Sequence, residues 1–341
     1  MFNKRIQLLL TAASILFLST IGNAEERQVR VIKVQAAINP TIAEFVISSI
    51  KKAAVSGDEA IIIELDTPGG LDTSMREIVI ELLSPPLPVI VYVHPGGGRA
   101  ASAGALITMA ANIAAMTHGT NIGAAHPVNM GGGEVSKEMN EKITNDAVAY
   151  IRGLAEKRGR NAEWAVKAVK ESASIPAEEA LKINVIDIIA GDLDDLLNQT
   201  DGRKVLTAKG ETILHTKGIK IVREEMGFGQ RILNVISDPN VAYILMMLGL
   251  LGLYFELSNP GAIFPGVIGA ICLILAFYAF QTIPVNYAGV LLILLSIVLF
   301  VAEAMVTSYG ILAIGGIVAM FLGSIMLFDS PLPYLRASLL V

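Results

Sequence analysis

Cysteine is almost absent from this sequence, which contains only Cys272. A single cysteine excludes an intrachain disulfide and a cysteine-based metal cluster. The four histidines lack the paired spacing of a zinc-binding helix, so we expect no metal ion. Neither a dinucleotide-type glycine loop nor a Walker-type lysine occurs, so we expect no cofactor. A net charge of −5 without a long basic run argues against nucleic-acid binding.

Hydrophobic residues, in contrast, are abundant and unevenly distributed. They make up 53% of the chain, and the mean hydropathy is +0.59, which indicates a mixture of soluble and membrane parts. Four apolar stretches fill residues 241–328: Val241–Phe255, Ala262–Phe280, Ala288–Val301 and Ile311–Phe328. Because a span needs about 20 apolar residues, we predict about four spans, with three spans or a re-entrant first hairpin as alternatives. Residues 329–341 form a short tail.

The N-terminus has the pattern of an export signal. Lys4 and Arg5 precede an apolar run over Ile6–Ile21, and small residues follow up to Ala24. This order is typical of a secretory signal peptide over residues 1–24, and an uncleaved anchor is the alternative. Either reading predicts that the chain from Glu25 onward is exported across a cell membrane.

Residues 25–200 alternate between strand and helix patterns. Buried strands are predicted at Val29–Val34, Ala60–Leu65 and Val89–Val93, with amphipathic helices at Pro40–Val55 and Leu71–Leu83 between them. This alternation indicates an α/β domain built on a mainly parallel sheet. A further strand is predicted over residues 185–189, followed by a short helix.

A polar connector follows over residues 201–240. Val205–Thr207 and Thr212–Leu214 suggest a small hairpin, and Ile219–Val222 suggests one more strand. Phe228–Val235 has an amphipathic pattern that fits a segment at a membrane surface. The connector therefore separates a soluble α/β domain from the predicted membrane bundle.

Ser102 lies where the chain passes from a buried strand into a helix. It is surrounded by Gly96–Gly98 and Ala100–Gly104, residues with almost no side chain. Small neighbours let a substrate backbone approach, and helix N–H groups favour developing negative charge. The alternative interpretation is that Ser102 only caps the helix.

A second short segment, Asp66–Gly70, ends the preceding buried strand. Its Gly69 and Gly70 place two unencumbered backbone N–H groups at the carboxyl edge of the predicted sheet, where α/β proteins bind ligands. The pair could form an oxyanion hole, and the alternative is a tight turn.

Four segments in order carry a resemblance to a known family: Asp66–Gly70, Ala101–Gly104, Gly119–Ala124 and Lys142–Asn145. Together with the membrane stretches that follow, they resemble the Clp-class, membrane-bound serine proteases of the NfeD family, also called stomatin operon partner proteins. The resemblance covers about residues 29–328. It implies a Clp/crotonase-like fold of stacked ββα units followed by a multi-span helical membrane bundle.

The resemblance also implies roles for individual residues. It makes Ser102 the nucleophile and Lys142 the general base of a Ser–Lys dyad, with Gly69 and Gly70 as the oxyanion hole. A serine hydroxyl needs a base to remove its proton, and a lysine serves when desolvation lowers its pKa.

Each assignment of a base has a competitor. Lysines on charged helices such as that of Lys142 are ordinarily solvated, and Lys137 is the local alternative. His126 lies near the position of the histidine in soluble Clp peptidases, and imidazole is the commoner base. No convincing third aspartate accompanies it, because Asp187 lies in a terminal strand.

The resulting expectation is an exported, membrane-anchored serine endopeptidase that cleaves apolar peptide segments. The resemblance implies a stomatin-like membrane protein as substrate or partner, contact with membrane lipid, and a homo-oligomer of at least two copies. The alternative is a non-hydrolytic scaffold for stomatin-like proteins in membrane microdomains. A crotonase-like acyl-CoA enzyme is disfavoured because export removes the chain from cytosolic CoA.

Overall fold

A computed structural model describes residues 27–128, 136–259, 263–282, 286–306 and 308–327. The predicted signal peptide and the predicted tail over 329–341 lie outside these residues. The strands are β1 (Gln28–Gln35), β2 (Ala60–Asp66), β3 (Val89–Val93), β4 (Arg99–Ala101), β5 (Ile113–Met116), β6 (Asn121–Gly123), β7 (Ser174–Pro176), β8 (Ile188–Ile189), β9 (Lys204–Thr207), β10 (Gly210–Ile213) and β11 (Lys220–Glu224).

The helices fall into a soluble group and a membrane-proximal group. The first group is α1 (Pro40–Val55), α2 (Asp72–Leu83), α3 (Ala103–Ala110), α4 (Lys137–Lys157), α5 (Ala162–Lys170), α6 (Ala177–Lys182) and α7 (Leu193–Thr200). The second group is α8 (Phe228–Ile236), α9 (Pro239–Ser258), α10 (Ile263–Thr282), α11 (Tyr287–Met305) and α12 (Ile311–Leu327).

A six-stranded parallel sheet in the order β11-β1-β2-β3-β5-β8 forms the centre of the soluble part. The central strands are apolar and buried on both faces, as in β3, where all five residues are buried. Continuous apolar runs are expected when helices cover both faces of a parallel sheet. The predicted α/β class with a mainly parallel sheet is confirmed.

Some strand predictions need adjustment. The strand predicted over residues 185–189 is limited to Ile188–Ile189, because the N–H groups of Val185 and Ile186 donate to the Ala180 carbonyl of α6 instead of to a neighbouring strand. β9 and β10 form the expected antiparallel hairpin. β11 comes from the predicted connector and joins the edge of the main sheet beside β1.

A second sheet, in the order β4-β6-β7, is absent from the sequence prediction. Each of its strands has three residues, too few to show a period. β4 pairs with β6 in parallel, and Thr67 forms a bridge to Ala100. This small sheet holds the chain immediately before Ser102.

Two arginines hold the end of α3 that is remote from Ser102. Arg160 is buried, and its guanidinium donates to the Thr108, Met109 and Ala111 carbonyls and to Asp187. Arg158 donates to the Ala110 and Leu82 carbonyls. Burial first, and then the Arg160 charge, lower the pKa of Arg158 to about 10. Cations at a helix C-terminus satisfy its free carbonyls, so α3 is fixed rigidly at this end.

The membrane-proximal helices form two hairpins, α9–α10 and α11–α12, that approach through glycines. A Cβ on Gly269 would lie 2.8 Å from the Gly249 carbonyl oxygen, and a Cβ on Gly323 would lie 2.9 Å from that of Gly289. Small residues permit such close helix packing in membranes.

By length and composition, one helix among the described residues, Ile263–Phe280, is able to cross a membrane. The helices Phe228–Ile236 and Asn240–Glu256 are joined at a bend, and together they would make a second candidate span if they are counted as one. The apolar helices Ala288–Glu303 and Ile311–Leu327 are shorter. Four spans therefore stay a prediction.

Candidate active site

Ser102 occupies the single residue between β4 and α3. Its backbone has φ 52° and ψ −115°, a strained conformation for a residue with a side chain. The Ser102 N–H donates to the Gly123 carbonyl at 2.9 Å, which fixes the turn. Ser102 occupies the N-cap position of α3, but its side chain makes no capping hydrogen bond to the helix. A serine on a strained strand-to-helix turn is typical of an exposed nucleophile.

The Gly69–Gly70 segment is held by pairing with Ile38. The Ile38 N–H donates to the Gly69 carbonyl, and the Leu71 N–H donates to the Ile38 carbonyl, both at 2.8 Å. In extended backbone, alternate residues direct their polar groups to opposite sides. The N–H of Gly70 therefore points away from Ile38, and among the described residues it has no acceptor.

The two glycines are not equivalent. The Gly69 N–H donates to the Thr67 hydroxyl at 3.1 Å, and Gly69 has a φ of +122°. Its role is thus to form the turn, while Gly70 offers a free donor. The alternative interpretation, a tight turn, describes Gly69 and does not describe Gly70.

Replacing Gly70 with alanine is expected to destabilise this part of the domain. The new Cβ would lie 2.1 Å from the Ile38 carbonyl oxygen, which is backbone and cannot rotate away. Overpacking of this kind costs about 1–3 kcal/mol. The shift in thermal midpoint can be followed with Trp164, the only tryptophan in the chain, which is 5% exposed.

The matched control is Gly153→Ala on α4, where a Cβ would meet no atom within 4 Å. Alanine improves on glycine in a helix by about 1 kcal/mol, so this variant should melt at or above the wild-type temperature. Equal midpoints for Gly70→Ala and Gly153→Ala would contradict the close packing against Ile38.

Ser102, Gly70 and Lys142 share one cleft of about 450 Å³. The sheet edge, α2, α3 and α4 enclose it. Its other lining residues are mostly apolar: Met75, Ala103, Leu106, Ala125, Pro127, Val128, Met139, Ile143, Ala147 and Val169, with Asp72, Arg76 and Asp146 as the charged ones. Three residues from separate segments of the sequence are thus brought to a single cavity.

Lys142 reaches the cleft from α4. Its side chain is exposed, and its ammonium group makes no hydrogen bond to the described residues. Met139 and Ile143 lie on the same face of α4 as Lys142 and line the same cavity. Their side chains are 50% and 39% exposed. Lys137 opens the helix and is not among the cleft residues. The local alternative to Lys142 therefore lies outside the cavity.

His126 is also outside the cavity lining. Its Nδ1 lies 2.8 Å from the Val169 carbonyl oxygen, so this nitrogen carries the proton and donates. Asp187 pairs with the buried Arg160 at 2.6 Å. The structure therefore does not assemble Ser102, His126 and Asp187 into a triad.

One side of the cleft carries a cluster of charged residues that the sequence analysis did not predict. Arg76 on α2 donates to Asp72 at 2.8 Å and to Asp146 on α4 at 2.7 Å. Its guanidinium also lies 4.3 Å above the Tyr150 ring. Burial raises the pKa of the Tyr150 hydroxyl, and the Arg76 charge opposes that rise. The i,i+4 pair Asp72–Arg76 is visible in the sequence, but its link to Asp146 depends on the fold.

The described residues contain no group of three histidine, cysteine or acidic side chains that could hold a metal ion. Beside its charged residues, the cleft offers a serine hydroxyl, a lysine amine and backbone N–H groups, which are the groups that acyl transfer requires.

Two family models match the chain. The model of the NfeD1b N-terminal domain matches residues 28–203, which contain Ser102, Gly70 and Lys142. The model of the NfeD integral membrane domain matches residues 240–341. The chain is therefore a membrane protein in which this N-terminal domain precedes an integral membrane domain.

Several proteins that are similar to this chain are proteases. The membrane-bound protease PH1510 of Pyrococcus horikoshii is 38% identical over 282 residues, which are 81% of this chain and 64% of that protein. The match thus spans less than two-thirds of that relative's length. A solved structure of a serine-to-alanine variant of the 1510-N membrane-bound stomatin-specific protease is 34% identical, with a TM-score of 0.55, and covers 59% of this chain and 99% of the other.

A lysine-to-alanine variant of 1510-N, solved in complex with a substrate peptide, is also 34% identical. Its TM-score is 0.57, and the match covers 62% of this chain and 98% of the other. The fold, the order of the two domains and both family models agree, and they show that this chain belongs to the NfeD family.

Proposed function

We propose that the chain is a membrane-anchored serine endopeptidase with Ser102 as nucleophile and Lys142 as general base. The observation that carries the proposal is the shared cleft, whose lining includes a strained serine, a glycine with a free N–H and a lysine. The solved 1510-N structures include a serine variant and a lysine variant of a protease, which supports a serine and a lysine in these roles. The proposal includes a Clp/crotonase-like ββα arrangement for the soluble domain.

The reaction begins with proton transfer from the Ser102 hydroxyl to the neutral Lys142 amine. The hydroxyl oxygen then attacks the carbonyl carbon of the scissile peptide, and the acyl-enzyme forms as the amine leaves with a proton from Lys142. Water hydrolyses the acyl-enzyme by the same two steps. Lys142 is exposed in the free chain, and catalytic hydrogen bonds often close only when substrate binds.

An apolar peptide in the cleft would cover Lys142 together with Met139 and Ile143. Loss of water around a lysine favours its neutral form, which is the form that accepts the serine proton. The apolar lining therefore serves both recognition of the peptide and activation of the base.

Gly70 and Ala103 are the proposed oxyanion donors. The Gly70 N–H is free, and Ala103 is the first residue of α3, whose N–H has no partner within the helix. Each such donor typically contributes about 3–4 kcal/mol to transition-state stabilisation. Gly69 supports the segment through its turn and its hydrogen bond to Thr67.

The proposed substrate is a stomatin-like membrane protein, as the names of the similar proteins suggest. The test is co-reconstitution of the full chain with such a protein, followed by mass spectrometry of the fragments. We expect one main cut within an apolar segment. Intact partner after prolonged incubation, with the two proteins co-purifying, would instead favour the scaffold alternative.

The proposed location of the protease domain is the outer side of the membrane, because residues 1–24 have the pattern of an export signal. Alkaline phosphatase fused after Asp195 should be active, and the same fusion lacking residues 1–24 should be inactive. Equal activity of both fusions would contradict export by this segment. The prediction of a homo-oligomer, at least a dimer, belongs to the same proposal.

A further inference from the structure

The short helix α8 carries an exposed apolar stripe that the proposed chemistry does not use. Phe228, Ile232 and Val235 are 82%, 42% and 54% exposed. Successive residues of an α-helix are rotated by about 100° around its axis. These three residues and Ile236 therefore lie within an arc of about 100°, which is the width of the apolar face of an amphipathic helix. Three large apolar side chains in water on one short helix indicate a surface that something covers.

Both flanks of the stripe are already fixed. Ile236 is buried among the membrane-proximal helices with Ala242 and Met246. On the other side, the side-chain amide of Asn39, the N-cap residue of α1, donates to the Asn234 side-chain oxygen at 3.0 Å. Because these contacts hold α8 in place, it cannot rotate its stripe into the soluble domain.

We propose that α8 lies in the headgroup region of a lipid bilayer, with Phe228, Ile232 and Val235 inserted into the acyl boundary. The matched integral membrane domain begins at residue 240, four residues after α8 ends. The axes of Phe228–Ile236 and Asn240–Glu256 differ by 82°. A helix parallel to the membrane surface that leads into a spanning helix requires a bend of this size.

The charge at the border of the stripe fits the same position. Arg231 flanks the apolar arc, and its exposed guanidinium pairs with Glu225 at 3.0 Å. Arginines at such borders extend toward lipid phosphate while their aliphatic stems cover apolar surface. Insertion by about 5–10 Å, usual for interfacial helices, would cover all three apolar side chains.

The test uses the full chain in phospholipid vesicles and fluorescence quenching by lipids brominated near the headgroup end of their acyl chains. The wild-type chain provides the background, since its only tryptophan, Trp164, is buried in the soluble core. Phe228→Trp should lose most of its added fluorescence in brominated vesicles and should be protected from iodide in the water phase. Ile232→Trp serves as a second reporter on the same stripe.

The matched control is Val55→Trp. Val55 is 90% exposed and ends α1, the helix whose start contacts α8, so it lies roughly 24 Å along that helix from Asn39. We expect quenching by iodide and none by brominated lipid at this site. If the tryptophans of Phe228→Trp and Ile232→Trp are quenched only by iodide, the stripe lies in water. Reporters that respond to neither quencher would show a stripe covered by protein, and either result would overturn the proposal.

Discussion

Replacing Ser102 with alanine is expected to abolish cleavage of a stomatin-like substrate while the chain keeps its fold. Loss of the nucleophile in a serine protease lowers kcat by roughly 10⁴- to 10⁶-fold, with the remaining rate due to binding and the oxyanion hole. Serine and alanine both carry a Cβ, so the strain at φ 52° is unchanged. The hydroxyl makes no hydrogen bond to the described residues, so its loss costs little stability.

Ser84→Ala is the control for this variant, because Ser84 is exposed at the end of α2 and distant from the cleft lining. It should cleave at the wild-type rate. Both variants should show the wild-type thermal midpoint by Trp164 fluorescence. A Ser102→Ala chain that cleaves as fast as Ser84→Ala would show that another residue is the nucleophile.

Replacing Lys142 with alanine is expected to lower the rate by roughly 10²- to 10⁴-fold, the usual contribution of a general base. Lys142→Arg keeps a long, charged side chain, but a guanidinium does not take up the serine proton, so this variant should be as slow as Lys142→Ala. A Lys142→Arg chain that cleaves at the wild-type rate would show that the lysine amine is not the base.

Two further variants separate Lys142 from its competitors. Lys137→Ala should be near wild type, since Lys137 lies on the same helix but outside the cleft lining. His126→Ala should lose only the hydrogen bond to the Val169 carbonyl. If His126→Ala is inactive and Lys142→Ala is active, the base is His126, as in the Ser–His chemistry of soluble Clp peptidases.

The sequence predicted what depends on local pattern. The central strands appear as apolar runs such as Val89–Val93, and the helices between them appear by their period. Small residues around Ser102 marked the strand-to-helix junction before its backbone angles were known. The apolar helices after residue 240 are visible from composition, whereas the number of spans depends on bends that composition does not encode.

The finer features of the site depend on partners distant in the sequence. Gly69 and Gly70 are identical residues, and only the contacts of Thr67 and Ile38 decide which N–H is free. The three-residue strand before Ser102 exists because β6, about twenty residues later, pairs with it. Arg76 on α2 is linked to the other side of the cleft because it donates to Asp146 on α4.

The central claim, that Ser102 is a nucleophile activated by Lys142, is tested most directly by a serine-directed fluorophosphonate on the full chain in lipid nanodiscs. Mass spectrometry should place the adduct on Ser102 alone. Labelling should be absent in Ser102→Ala, much slower in Lys142→Ala and unchanged in Lys137→Ala. An unlabelled wild-type chain, or an adduct that persists on another residue in Ser102→Ala, would contradict the account.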